Sequence, residues 1–261
     1  MNMDPQQATR LAAHLSLACL DLTSLNDADT EADVIALCAR AHGAHGTVAA
    51  VCVWPRFAAL ARREAPQGIA VAAVANFPDG STDVARAVRD TREIVEAGAQ
   101  EVDVVLPFAA LMRGDERAVA ELLAAVRRAC DGLVLKVILE TGVLVGDALI
   151  ARAAQLGLAA GADFLKTSSG KTPISATPEA AAVMLHAISA DPRRERVGFK
   201  ASGGIRTVAE AMVYLGLVEQ VLGASALTPK RFRIGASSLL SDIEAVLGGT
   251  SAPAPAAPGT Y

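Results

Sequence analysis

Eight short apolar runs alternate along this chain with stretches of helical periodicity, and few folds can absorb that pattern. The runs at 17–22, 48–53, 69–75, 101–106, 133–139, 163–166, 197–200 and 231–234 are too short for helices and read as strands. The run at 69–75 is almost wholly small and apolar, as expected of a strand buried on both faces. Helices are predicted at 5–16, after Asp29-Thr30 with Val34, Leu37, Cys38 and Ala41 on one face, from Pro55 to about 65, and at 81–97 with Val84, Val88 and Val95 on one side. Further helices run through Val119, Leu122, Leu123 and Val126, over 147–160, and from Thr177-Pro178 with Val183, Met184 and Ile188 buried. The last two start at Thr207, whose Glu210 completes a capping box, and after Gly235-Ala236-Ser237-Ser238.

Strict strand–helix alternation implies a parallel sheet, and a 261-residue chain that is 52% hydrophobic can build one large core around it. The expected fold is α/β: a single (β/α)8 TIM barrel with an extra N-terminal helix. An open doubly wound sheet is disfavoured, because no glycine fingerprint follows the first strand. The barrel domain is expected to span 1–248. Residues 249–261, with Ala252-Pro253-Ala254-Pro255 and a terminal Tyr261, read as a flexible tail.

A net charge of −4 gives no broad basic field, so nucleic acid is not an expected partner. Cys19, Cys38, Cys52 and Cys130 are scattered without a Cys-x-x-Cys pair, which argues against zinc and against a disulfide framework and suits a reducing cytoplasm. His42 and His45 lie in a glycine-rich connection that lacks further ligands and reads as a plain loop. The apolar stretch 11–20 after Arg10 imitates a signal peptide, but His14 interrupts it and Asp4 offsets the arginine. No run approaches the ~18 uncharged residues of a membrane span.

Chemistry concentrates in Asp163-Phe164-Leu165-Lys166-Thr167-Ser168-Ser169-Gly170-Lys171, where an apolar strand delivers a lysine into a polar turn. Such a lysine is either a charge that binds substrate or a nucleophile for Schiff-base formation. In a barrel the reactive groups gather at the C-terminal strand ends, and Asp21, Asp103, Lys166 and Lys200 all fall there in this reading. Each alone has a bland explanation, since strand-end lysines snorkel to solvent and strand aspartates pair or cap. Together they make a coherent device: a second cation lowers the pKa of Lys166, and a carboxylate passes protons. Gly203-Gly204 and Gly235 to Ser238 lead into helix starts whose bare amides can hold a phosphate, although both also suit ordinary glycine turns. Arg206 and Lys171 are nearby cations for such an anion, or solvated surface charges.

The segments 21–26, 101–105, 164–171, 198–206 and 232–238 together resemble the class I, Schiff-base deoxyribose-phosphate aldolases (the DeoC family), over about 17–247. The resemblance implies reversible cleavage of 2-deoxy-D-ribose 5-phosphate to acetaldehyde and D-glyceraldehyde 3-phosphate, with no metal or other cofactor, in a cytoplasmic homodimer. By position it implies that Lys166 forms the Schiff base and that Asp103 and Lys200 serve proton transfer and pKa tuning. Asp21 and Lys171 would contact the sugar, and Gly203, Gly204, Ser237 and Ser238 would hold its phosphate. Ser169 stands where many members have threonine, and Ala201-Ser202 where some have Pro-Ala. Tyr261 resembles a family C-terminal tyrosine that can reach over the site. Another Schiff-base barrel aldolase would have no reason for the second strand-end lysine, and a phosphosugar isomerase or phosphosugar-binding barrel would leave both lysines unused.

Overall fold

The computed structural model of the chain describes residues 4–249. It opens with helix α1 (Pro5–Ala18), which runs past the expected boundary at residue 16, so the first strand, β1 (Leu20–Thr23), starts later than expected. Leu17 is buried on the helix, and Cys19 still donates its amide to Leu15 O, so the apolar run at 17–19 completes a helical face. All but Gly249 of the expected tail, including Tyr261, lies outside the described residues.

Seven further strands follow: β2 (Ala50–Val53), β3 (Ala70–Ala75), β4 (Glu101–Val105), β5 (Val134–Ile138), β6 (Phe164–Lys166), β7 (Gly198–Ser202) and β8 (Phe232–Ala236). Each pairs in parallel with its sequence neighbours, and β8 closes on β1, giving the eight-stranded (β/α)8 barrel. The last two strands continue to Ser202 and Ala236, two residues beyond the apolar runs, because small residues keep the backbone pairing where the side chains turn polar.

Around the barrel lie α2 (Glu31–Arg40), α3 (Ala58–Glu64), α4 (Val84–Glu96), α5 (Phe108–Met112), α6 (Glu116–Ala129), α7 (Asp147–Ala159), α8 (Pro178–Ala190), α9 (Val208–Leu222) and α10 (Leu239–Gly248). Their starts follow from local chemistry. Thr30 and Thr207 form capping boxes with Asp33 and Glu210, while Asp83, Asp115 and Thr177 each accept a first-turn amide. Three features depart from expectation. α5 is an additional helix; His42–Gly43 pairs with Gly46–Thr47 as a short antiparallel hairpin rather than a plain loop; and α4 buries Ala87, Thr91 and Ile94, leaving Val84, Val88 and Val95 half-buried. Valine is the more apolar residue, but Thr91 can be buried because its hydroxyl donates to Ala87 O one turn back in the same helix at 2.7 Å.

Two apolar clusters result. The larger fills the space between the outer strand faces and the helices. The smaller, with Cys52, Ala72, Val74, Val105 and Ile138 from β2 to β5, occupies one sector of the lumen and is closed at the top by Leu25 and Phe77. The other sector of the lumen is filled with charge.

Candidate active site

Side chains alternate across a strand, so Glu101, Asp103 and Val105 share the inner face of β4, and Lys136 shares that of β5. Parallel register then sets Lys136 beside Asp103, Lys166 beside Lys200, and Lys200 beside Arg233. Asp21, Asp103, Lys136 and Lys200 have no solvent exposure, and Lys166 is 1% exposed.

These residues form a closed ring. Asp103 accepts from Lys136 Nζ on Oδ1 at 2.7 Å and from Lys200 Nζ on Oδ2 at 2.8 Å. Lys200 also donates to Asp21 Oδ2 at 2.5 Å, and Asp21 Oδ1 accepts from Arg233 Nη1 at 2.5 Å. Arg233 reaches across the barrel from β8 to the opposite strand, β4, where Nη2 donates to Glu101 Oε1 at 2.8 Å. Glu101 Oε2 lies 2.5 Å from Lys136 Nζ and completes the circuit. Three carboxylates and three cations alternate, and the ring engages every carboxylate oxygen.

Lys166 stands outside this balance. Among the described residues its one carboxylate contact is with Asp103 Oδ2 at 2.9 Å, the oxygen already held by Lys200. Burial pushes the Lys166 ammonium down, Asp103 opposes, and Lys200 adds repulsion, so its pKa falls below the ordinary lysine value. For Lys136 and Lys200 burial acts the same way, but their carboxylates outweigh it and both are raised. Burial alone would raise Asp103 and Asp21; the surrounding cations instead hold both well below the usual carboxylate range. An amine whose charged form is disfavoured can attack a carbonyl, and the carboxylate beside it can exchange protons with it.

Gly203 and Gly204 follow β7 with φ of 86° and 81°, a region that favours glycine, and a Cβ on Gly203 would lie 2.5 Å from Ser175. Ser237 and Ser238 follow β8 and are exposed, and α10 begins with no side-chain cap from Ser238. Because β7 and β8 are paired, both loops rise side by side at the same barrel end as Lys166. Lys171 is half-buried on the loop after β6, with its amide donated to Ser169 Oγ at 3.1 Å.

Thus Lys166, Asp103, Lys200 and Asp21 meet directly, while Gly203, Gly204, Ser237, Ser238 and Lys171 stand on the rim loops. Sequence reasoning missed Glu101, Lys136 and Arg233 as members of the charged cluster. The signal was available, since each is a charged residue in a strand and Glu101 lies two positions before Asp103. It also missed Glu140, a buried carboxylate at φ 58° that accepts the Ser169 amide at 3.3 Å and the Thr172 hydroxyl at 3.3 Å. Burial raises the Glu140 pKa.

The chain matches the DeoC/LacD family aldolase model over residues 15–243. It is 48% identical over 256 residues to the deoxyribose-phosphate aldolase of Agrobacterium fabrum, covering 97% of this chain and 98% of that protein. A Toxoplasma gondii ME49 structure, provisionally described as a deoxyribose-phosphate aldolase, superposes with a TM-score of 0.87 at 26% identity, over 95% of this chain and 98% of that one. The deoxyribose phosphate aldolase of Aeropyrum pernix, described as tetrameric, gives 0.69 at 25% identity, over 94% and 98% of the two chains. With family match and barrel in agreement along almost its whole length, this chain belongs to the DeoC/LacD family of aldolases.

Proposed function

We propose that Lys166 is the amine that makes this chain a class I aldehyde-lyase, cleaving 2-deoxy-D-ribose 5-phosphate to acetaldehyde and D-glyceraldehyde 3-phosphate. One observation carries the assignment: Lys166 is the cation left over when the lumen charges are paired. Its neutral Nζ adds to C1 of the open-chain sugar, and loss of water gives the imine. The C3 hydroxyl then loses its proton as the C2–C3 bond breaks; C3 becomes the aldehyde of the triose phosphate, and the bonding pair moves into an enamine on Lys166. Protonation of C2 and hydrolysis release acetaldehyde and restore the amine, so atoms and charge balance in both directions.

Asp103, 2.9 Å from Lys166 Nζ, is positioned to take and return the protons of carbinolamine formation and collapse. Lys200 keeps Lys166 uncharged and offers a proton beside Asp103. Asp21 is engaged on both oxygens, but each retains a second lone pair, so it can accept a sugar hydroxyl while still holding Lys200. The Gly204 amide and those of the α10 start, with Ser237 and Ser238, suit the phosphate; Gly203, whose own amide donates to Gly235 O at 3.4 Å, lets the backbone turn beneath it, and Lys171 completes the approach to the sugar.

The barrel, 1–248, is the catalytic unit in this reading. Among the described residues no helix is long and apolar enough to cross a membrane. The four cysteines are free and buried, which suits the reducing cytoplasm that we assign to the protein. A homodimer is the expected assembly, tested by mass measurement in solution. Lys166→Met tests the central assignment: it should abolish both cleavage and borohydride trapping with acetaldehyde at every pH, and retained trapping would move the nucleophile elsewhere.

A further inference from the structure

Glu140 takes no part in the steps assigned above, yet it is a carboxylate without solvent exposure, two residues beyond β5 at the catalytic end of the barrel. Its φ of 58° lies in the left-handed region, which a non-glycine residue occupies only where its surroundings enforce it. In that conformation the side chain reaches the loop between β6 and α8. Oε1 and Oε2 each lie 3.3 Å from the Ser169 amide. Oε1 is also 3.3 Å from the Thr172 hydroxyl, whose one proton it shares with Ile174 O at 2.8 Å.

That loop is held between its two neighbours. On the β5 side, Leu139 and Thr141 donate their amides to Lys166 O at 2.9 Å and Thr167 O at 3.0 Å, and a Cβ on Gly142 would collide with the backbone of Ile174. On the β7 side, Thr167 Oγ accepts the Ser202 amide at 3.0 Å, and a Cβ on Gly203 would lie 2.5 Å from Ser175 and 3.4 Å from Gly170 Cα. Backbone pairing fixes the loop as far as Thr167. Beyond it the chain leaves the strands, and there the Glu140 carboxylate takes hold of Ser169 and Thr172. Lys171 stands between these two residues and donates its amide to Ser169 Oγ at 3.1 Å. The anchor on Ser169 therefore sets both the place of Lys171 and the surface on which the Gly203–Gly204 turn rests.

We propose that Glu140 is a positioning residue for the far end of the substrate: it fixes the loop after β6 so that Lys171 and the Gly203–Gly204 turn meet the sugar phosphate. The inference rests on the reading of Lys166 as nucleophile and of the rim loops as the sugar-phosphate site. It separates two functions of one strand end, since Lys166 is fixed by barrel pairing and the loop beyond it by Glu140. The role is one of hydrogen bonding rather than of charge. A glutamine can keep its oxygen on the Ser169 amide and turn its NH2 to Thr172 Oγ, which still donates to Ile174 O.

The test compares steady-state cleavage of deoxyribose 5-phosphate with borohydride trapping of acetaldehyde, which is too small to reach the rim loops from Lys166. Glu140→Gly removes the anchor at a backbone conformation that glycine adopts freely. It should raise KM about tenfold, as for the loss of one buried hydrogen bond, while kcat and the trapping rate stay within about threefold of the unmodified protein. Glu140→Gln should keep all three within about threefold, because it retains the hydrogen bonds without the charge. Should Glu140→Gly fail to fold, Glu140→Leu, which keeps most of the volume, carries the same expectation. Trapping slowed as much as cleavage, a fall in kcat at unchanged KM, or Glu140→Gln as impaired as Glu140→Gly would overturn the proposal. An adduct absent from Lys166 in the unmodified protein would instead overturn the nucleophile assignment, so the two failures are distinguishable.

Discussion

Lys200→Met removes one cation from the lumen while keeping most of the side-chain volume. Lys166 and Lys200 both approach Asp103 Oδ2, at 2.9 and 2.8 Å, so their nitrogens are no farther apart than the sum of the two, about 5.7 Å. Two unit charges at that separation repel by about 3 kcal/mol at an effective dielectric constant near 20. This corresponds to about two pH units, or roughly a hundredfold in the fraction of Lys166 present as free amine. The change also releases Asp103 Oδ2 to Lys166 alone, which acts in the same direction. Trapping with acetaldehyde and borohydride should therefore slow about a hundredfold at pH 7 and recover as pH rises. Cleavage of deoxyribose 5-phosphate should recover less, because Lys200 also offers a proton at the reacting centre. A pH profile left in place by Lys200→Met would refute the reasoning, whatever happened to the maximal rate.

Ser238→Asp, at the uncapped start of α10, should weaken use of deoxyribose 5-phosphate at least about tenfold more than use of unphosphorylated deoxyribose, because a carboxylate there repels the phosphate; equal losses in kcat/KM would move the phosphate elsewhere. Gly235→Ala would bring a Cβ to 2.2 Å from Ser202 Oγ and 3.0 Å from Lys200 Cε, so a loss of about 1–3 kcal/mol in stability is expected by thermal or denaturant unfolding, together with slower trapping. Activity should survive strong chelators, since the carbonyl is activated covalently; loss with EDTA and recovery with zinc would contradict this. Asp103 and Asp21 titrate below their unfolded value of ~3.9, so the stability they contribute is complete above about pH 4 and is lost as pH falls through the folded values. Lys136 and Lys200 titrate above their unfolded value of ~10.4, so their contribution is complete below it and is lost as pH rises through the folded values. Melting followed against pH should show both declines outside those limits, and a ring-dependent fall already present between pH 7 and 5 would be inconsistent.

The barrel was legible because eight buried strands leave eight apolar runs, and because the caps at Thr30, Thr177 and Thr207 are local side-chain chemistry. Boundaries were less legible where apolar residues serve either element, as at Leu17, or where pairing continues through small polar residues, as at Ser202. Asp21, Asp103, Lys166 and Lys200 stood out as charges inside apolar strands. Lys136 and Arg233 carried the same signal, but their importance depends on cross-barrel partners, and Arg233 meets Glu101 132 positions away in sequence. No local pattern encodes that meeting; it follows only once β4 and β8 are known to face each other.

The most direct test of the central claim is to incubate the unmodified protein with acetaldehyde, reduce with borohydride, and locate the added ethyl group by peptide mass spectrometry. The ring predicts a single modified residue, Lys166, with Lys136 and Lys200 untouched because their carboxylate partners keep them protonated. An adduct on Lys136, Lys200 or Lys171, or no adduct at all, would contradict it.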